Sequence, residues 1–506
     1  MKQAKIERLT NLLEIRAREK ADELFIREIE SGSQWTYRQF YDEVMQRKDF
    51  FTNAGMCSGD KVCLIYHNSF EFMLNFYAVL NVGGIFTPIN PDFKEQEIEY
   101  IIGDVNCKYV LTAYDDSRTE SFTETINCIE INEKIKLIEI DNHLSVDKRE
   151  DNLIEDTVLI LYTSGTTSNA KGAMLTNRNL LQEMHNIMEA HELTENDKVL
   201  CVLPWFHING LVITMLTPLL VGHEIVIAKK FSSSNFWKWV EQYRVTWFSA
   251  VPTIYSYLLE RPQKDLKTCL RFARSASAPL PVHILKTFEE QYGIMIIESY
   301  GMTEGGSQLT TNPLPPKARK AGSVGIPYGL EMKIMADGKV CQTFEKGEVM
   351  FRGDSITGGY YKKKEETENG FEDGWLKTGD LGYFDEEGYL FLCGRKKELI
   401  NRAGEKFSPK EIDDVLYQYP GIKLAACIGV PDAVFGEEVV AFCVPRENAV
   451  LIEKDVIDFC KKYLAEYKIP KKVYVVDNIP LGGNGGKVQR LKLVDIYKKM
   501  EGIENV

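Results

Sequence analysis

The segment 162–172, YTSGTTSNAKG, gathers hydroxyl side chains around one glycine and ends on a lysine and a second glycine. Those residue types suit a polyphosphate. The hydroxyls of Thr163, Ser164, Thr166 and Thr167, with the backbone N–H groups between them, can donate to phosphate oxygens. Gly165 lets the main chain approach closely, and Lys171 adds a positive charge. The pattern is not a Walker loop, because G-x-x-x-x-G-K-[ST] cannot be laid onto it. Taken singly, it reads equally as a flexible Ser/Thr/Gly loop between a strand and a helix.

Further segments offer complementary groups. In Tyr300-Gly301-Met302-Thr303-Glu304, directly after an apolar strand, Glu304 can hold a magnesium ion bound to phosphate oxygens and Thr303 can hydrogen-bond an α-phosphate. That position, at the C-terminal end of a strand, is where α/β proteins place ligands. Asp380, in WLKTGD, and Arg395, in GRKK, flank a hairpin that can bring them together, although a lone Asp on a turn is most often just a turn residue. Near the end, PLGGNGGK presents Lys487 on a glycine-rich loop. In PWFHING, His207 is either a gate of a substrate pocket or a structural histidine at a strand end.

These groups need elements to hold them. Between about 155 and 300, β-branched runs at 158–162, 224–228, 245–250 and 294–299 alternate with amphipathic stretches at 177–193, 235–243 and 281–293, the first capped by Thr176. Strands alternating with helices predict an α/β architecture with a largely parallel sheet, and 30–90 reads as an earlier block of the same kind. From 322 to 394, short runs rich in Gly, Lys and Tyr predict antiparallel hairpins. Beyond Arg395, Ser408-Pro409-Lys410-Glu411 reads as a capping box opening a helix over 411–419. Strands at 424–430 and 438–444, a helix over 454–467 and a strand near 473–476 complete a small α+β domain. The expectation is a body over 1–395, built of α/β subdomains and a hairpin-rich β subdomain, with a small mobile domain over 396–506.

Bulk properties narrow the field. A chain of 506 residues with 44% hydrophobic and 27% charged residues is ordinary globular material of several domains. Its net charge of -13 disfavours a nucleic-acid partner. The 11 cysteines include no C-x-x-C pair, which fits reduced thiols in a cytoplasm. The N-terminus lacks the apolar core of a signal peptide, and the most apolar long stretch, 211–228, is interrupted by polar residues, so no membrane span is expected.

Taken in order, these motifs resemble the acyl-adenylate-forming superfamily of acyl- and aryl-CoA synthetases, peptide-synthetase adenylation domains and luciferases. The resemblance runs from TYRQFYDEV to VQRLKL. It implies that 163–172 binds pyrophosphate, with Thr303 and Glu304 serving the α-phosphate and magnesium. It also implies an adenine and ribose site of Ser277, Ala278, Pro279, Glu298, Ser299, Tyr300, Gly301 and Met302. There Tyr300 stacks on adenine, and Asp380 and Arg395 hold the ribose hydroxyls. Lys487 becomes the adenylation lysine and Lys397 a hinge, while Ala403, Gly404, Glu405 and Lys406 complete a thiol tunnel. His207, Asn209, Ile213, Ser277 and Ser307 become walls of an acid pocket. Ser168 and Ala170 stand where relatives usually have Gly and Pro, and the loop before Lys487 is one residue longer.

The implied activity is ATP- and magnesium-dependent activation of a carboxylic acid, followed by transfer to the thiol of coenzyme A or of a carrier-protein phosphopantetheine. A non-catalytic nucleotide-binding protein is the contrasting reading, and it predicts loss of Lys171, Glu304 or Lys487, all of which are present. TSGTTS, AVPTI, RSASAPL, NPLPP and INRAGEKFSPKEID resemble oxalate–CoA ligases, whereas INRAGEK also resembles dihydroxybenzoate-activating ligases. Oxalate or a small dicarboxylate is therefore one substrate option, and a short-to-medium fatty or aryl acid the other. Oligomeric state is not legible.

Overall fold

Helix Phe70–Val82 is apolar on nearly every face, and so it can be stable only if it is enclosed. Ser69 opens it by accepting the Phe72 N–H, and Gly83 closes it in the left-handed conformation. In the computed structural model, which describes residues 6–118, 124–141, 152–163, 170–482 and 488–503, this helix joins the parallel strands Lys61–Ile65 and Ile85–Ile89. Its side chains share one core with helices Leu9–Glu19, Tyr37–Asn53 and Asn177–Ala190.

Two sheets flank that core. One has seven strands, in the order Glu124–Glu130, Ile135–Asp141, Tyr109–Ala113, Lys61–Ile65, Ile85–Ile89, Thr157–Tyr162 and Gly172–Thr176. Its middle is parallel and its edges are antiparallel. The other has nine strands, with a parallel centre formed by Ile296–Tyr300, Phe272–Ser275, Trp247–Ala250, Lys198–Cys201, Glu224–Ile227 and Leu24–Glu28. The run 158–162 thus joins a different sheet from the other runs of its block, because Thr157–Tyr162 pairs with Ile85–Ile89.

The hairpin reading of 322–394 corresponds to an antiparallel six-stranded sheet that includes Glu331–Ala336, Gly347–Arg352, Trp375–Phe384 and Leu390–Arg395. Past it, Ile400–Arg402, Glu405–Phe407, Ile422–Asp432, Gly436–Pro445 and Lys472–Val475 form a separate five-stranded sheet with its own core. Ser408 caps helix Pro409–Leu416 through the Lys410 N–H. The reciprocal half of the capping box is absent, because the Glu411 carboxylate pairs with Lys468 and Lys346 instead. Ion pairs Lys346–Glu411 at 3.6 Å and Lys423–Glu260 at 2.9 Å join this small sheet to the body. The helical expectation over 454–467 shortens to Glu453–Cys460, and a final helix, Arg490–Met500, follows. No helix among the described residues is long and apolar enough to cross a membrane.

Candidate active site

The phosphate-type loop leaves a strand as expected, but it returns along one. Thr157–Tyr162 and Gly172–Thr176 are antiparallel, with Tyr162 opposite Gly172 and the Thr163 N–H on the Lys171 carbonyl at 2.9 Å. The strands on either side of 164–169 therefore form a hairpin, and the chain after Lys171 enters a strand before any helix. The extended run Gly172–Thr176 intervenes before Thr176 caps Asn177–Ala190 through the Asn179 N–H. Ser164, Gly165, Thr166 and Thr167 lie outside the described residues, as does Lys487. Thr163 and Lys171 mark where the hairpin tip begins and ends.

Lys171 leads to a residue that motif reading overlooked. Its Nζ lies 4.9 Å from the centre of the Tyr360 ring, and the Tyr360 hydroxyl donates to Glu304 Oε1 at 2.6 Å. Glu304 is buried, at 7% exposure, and its carbonyl accepts the Thr357 N–H. Burial and then the Glu304 charge push the Tyr360 phenol above its usual range, so it stays a donor. The available sequence signal was the pair Tyr360-Tyr361 following Gly358-Gly359, an abrupt aromatic pair after two glycines.

On the other side of the same turn, the hairpin pairs Asp380 directly opposite Arg395. The Asp380 carboxylate forms an ion pair with Arg395, 2.9 Å from its Nε, and accepts the Tyr300 hydroxyl at 2.5 Å. Tyr300 and Glu304 thus hold the two ends of the 300–304 segment through carboxylate–phenol bonds. The turn between them is tight. A Cβ on Gly301 would lie 1.6 Å from the Ser307 carbonyl oxygen, so only glycine fits there. Ser299 is committed to the sheet edge, its hydroxyl 2.6 Å from that of Thr311. Glu298 is buried behind the 277–280 loop, accepts the Leu280 N–H at 3.3 Å, and burial pushes its carboxyl up to about 7.

The expected acid-pocket residues fall into two groups. Asn209 Nδ2 donates to Ser277 Oγ at 3.0 Å, and Ser277 holds a left-handed backbone, with φ of 71°. Ser307, also strained at φ of 150°, adjoins Gly301. Ile213, by contrast, is fully buried in the main core. Asn209 and Ile213 sit on the π-helical turn Asn209–Leu216, a geometry often found at functional sites. Gly210 is sterically required there, because a Cβ would approach the Pro204 carbonyl oxygen to 2.2 Å.

His207 precedes this turn and lines a cavity of about 50 Å3 together with Tyr100, Tyr162, Thr163, Ala170 and Phe206. Enclosure of its imidazole lowers its pKa to about 4, so the ring is neutral near pH 7. Ala278 is half-buried and Pro279 exposed on the 277–280 loop, and Met302 and Thr303 are half-buried on the 300–304 turn. Lys397 lies in the exposed turn Lys396–Glu398 between the third and fourth sheets. Ala403, Gly404, Glu405 and Lys406 form the exposed tip of a hairpin, where the Ala403 N–H bonds the Phe435 carbonyl at 2.7 Å.

Lys171 beside Tyr360 and the buried Glu304, with the Asp380–Arg395 pair on the other side of the turn, gathers charged groups at the ends of the sheets, an arrangement suited to a nucleotide. Family comparison agrees. Residues 13–361 match the AMP-binding enzyme model and 411–485 the AMP-binding enzyme C-terminal domain. The chain belongs to the AMP-binding enzyme family.

Among relatives, an oxalate–CoA ligase of Arabidopsis thaliana is 40% identical over 87% of this chain and 88% of its own length. A sulfoacetate–CoA ligase of Cupriavidus necator is 35% identical over 96% and 97%. The o-succinylbenzoate CoA synthetase of Bacillus subtilis with its acyl-adenylate intermediate superposes with a TM-score of 0.84 at 28% identity, covering 96% of this chain and 97% of that one. The same synthetase solved with ATP and magnesium ion gives a TM-score of 0.83 at 28% identity, over 95% and 98%.

Proposed function

We propose that this enzyme joins a small carboxylic acid to ATP as an acyl-adenylate and then passes the acyl group to the thiol of coenzyme A. The observation that carries the reading is the 300–304 turn. One end of it is tied to the Asp380–Arg395 pair and the other to Glu304 and Tyr360, beside Lys171. The ligase names of the Arabidopsis and Cupriavidus relatives support the same chemistry.

In the first step a substrate carboxylate oxygen attacks the α-phosphorus, the bond to the β-phosphate breaks, and pyrophosphate leaves. A magnesium ion on the triphosphate supplies charge neutralisation and Lewis acidity. Glu304 fits as its protein ligand. Tyr360 occupies Oε1, no described donor is bound to Oε2, and a magnesium ion needs few protein carboxylates when phosphates and waters complete its shell.

Asp380 accepts the ribose hydroxyls, Arg395 keeps its carboxylate oriented, and Tyr300, with Ser277 to Pro279, borders the adenine. Thr163, Ser164 to Thr167 and Lys171 bind the departing phosphates, and Thr303 the α-phosphate. Lys487 offsets the negative charge of the transition state, and losing one such contact costs roughly 2.7–4 kcal/mol. In the second step the thiolate attacks the acyl carbon and AMP leaves. We assign that step to the tip 403–406, delivered by rotation of 396–506 about Lys397. Neutral His207, between the cavity and the Asn209 turn, gates the acid pocket. A cytoplasmic location accords with the 11 cysteines, none of which is in a disulfide.

ATP–pyrophosphate exchange over a panel of oxalate, malonate, sulfoacetate, C4 to C16 fatty acids and benzoates tests the first step, and thioester mass with coenzyme A tests the second. Exchange and thioester with a shared acid are expected. Thioester appearing only with a phosphopantetheinyl carrier protein would reassign the acceptor, and absence of exchange with every acid would overturn the proposal.

A further inference from the structure

Behind the acid pocket lies a guanidinium that the reaction described above does not use. Arg274, on strand Phe272–Ser275, is 1% exposed. Its Nη1 donates to Asn209 Oδ1 at 2.8 Å and to Ser249 Oγ at 3.1 Å, while Nε and Nη2 reach Gln308 Oε1 at 3.3 and 3.2 Å. Every one of these acceptors is neutral. Among the described residues no carboxylate lies within ion-pairing distance of it, whereas buried charges in folded proteins are as a rule paired.

The nearest acid in the network is Glu183, which accepts the Gln308 N–H at 2.6 Å. Burial pushes that carboxyl up to about 8, so near pH 7 it is mostly protonated and leaves the guanidinium charge standing. Arg274 therefore carries an uncompensated positive charge one hydrogen bond behind Asn209, whose other amide atom is fixed on Ser277. A low-dielectric wall transmits such a charge into the space it borders far better than water does.

We propose that Arg274 is the anion-selecting positioning residue of the acid pocket, so that the enzyme prefers small acids bearing a second anionic group over uncharged isosteres of the same size. The inference rests on the acid-activating reading above. The second anion is a carboxylate or a sulfonate, and it sits against the Asn209–Ser277 wall. There it faces, across Asn209, the charge that the folded chain leaves without a carboxylate. Asn209 transmits the selection, because the guanidinium fixes its carboxamide with Oδ1 inward and Nδ2 outward.

The test uses isosteric pairs that differ in charge alone: oxalate against pyruvate, malonate against acetoacetate, and sulfoacetate against methylsulfonylacetate. With the unaltered protein, kcat/KM for ATP–pyrophosphate exchange is expected to favour the charged member of at least one pair by about 100-fold, the scale of a close desolvated charge contact. Arg274→Gln should collapse that ratio through the KM of the charged acid while leaving the KM for ATP unchanged, and Arg274→Lys should restore most of it.

Equal rates within every pair for the unaltered protein would overturn the proposal without any variant. So would a loss in Arg274→Gln that falls equally on both members, since that marks a merely structural arginine. If monocarboxylates are activated and none of the dianions is, this inference fails while the ligase reading stands. If no acid at all supports exchange, it is the ligase reading that fails.

Discussion

Tyr360→Phe removes one oxygen atom and isolates one bond. The ring that packs against Lys171, 4.9 Å from its Nζ, remains, while the 2.6 Å bond to Glu304 Oε1 is lost. A hydrogen bond to a charged group contributes about 1.5–3 kcal/mol, and the low exposure of Glu304 places this one toward the upper part of that range. At about 1.4 kcal/mol per tenfold, the expected loss in kcat/KM for MgATP is about 10- to 150-fold. The loss should appear as a weakened dependence on magnesium, because an untethered Glu304 no longer presents Oε2 in one place. The assay is ATP–pyrophosphate exchange titrated with magnesium at fixed ATP, repeated at saturating acid. The KM for the acid should not move, because nothing in the Tyr360–Glu304 pair borders Asn209 or Ser277. A variant with unaltered rate and magnesium dependence would refute the assignment of Glu304 as the metal-holding carboxylate.

Three further outcomes follow from the same geometry. Asp380→Asn weakens its bonds to both Tyr300 and Arg395, so the KM for ATP should rise by about 10- to 100-fold with acid preference unchanged; an unchanged KM would remove Asp380 from the nucleotide site. Gly301→Ala drives a Cβ to 1.6 Å from the Ser307 carbonyl, so exchange activity should vanish and the melting temperature should fall; a soluble variant with normal activity would show that the turn relaxes freely. Glu183 has a folded-state pKa raised from 4.5 to about 8, so the native state keeps a proton that the unfolded chain gives up. Its contribution is complete below 4.5 and declines as pH rises toward 8, by up to about 1.4 kcal/mol per unit. Glu183→Gln should therefore flatten the fall in melting temperature between pH 5 and 8, and parallel curves for the two proteins would refute that titration.

Much of this arrangement was legible because the positioning elements are locally coded. Thr176 and Ser408 cap the helices they were expected to cap, and the strand expected at 294–299 appears as Ile296–Tyr300. Asp380 and Arg395 meet because a hairpin of fixed register makes them opposite partners, which spacing alone could anticipate. Pairings between distant segments were not legible. Tyr360 meets Glu304 and Arg274 meets Asn209 across 56 and 65 residues; the aromatic pair after two glycines marks Tyr360 without naming its partner, and nothing around Arg274 separates it from an ordinary residue. That Thr157–Tyr162 leaves the other runs of its block for the first sheet was not legible for the same reason, since β-branched runs do not encode their neighbours.

The departures from local regularity are not scattered. A π-helical turn carries Asn209, left-handed backbone carries Ser277, a strained serine follows at 307, and a buried arginine without a carboxylate joins Asn209 to Gln308. Each of these costs stability taken alone, and a chain selected for folding only would replace them with a regular helix, glycines and an apolar side chain. Their convergence on one wall argues that this wall is shaped for a ligand, since local rules tend to break where function requires it. The proposed nucleotide side shares Ser277 with that wall and is otherwise held by contacts already made. Its pairs, Tyr300 with Asp380 and Tyr360 with Glu304, are satisfied in the folded chain before any ligand arrives. On the proposed reading, the nucleotide side would bind what every acid needs, and the wall in front of Arg274 would choose which acid is admitted.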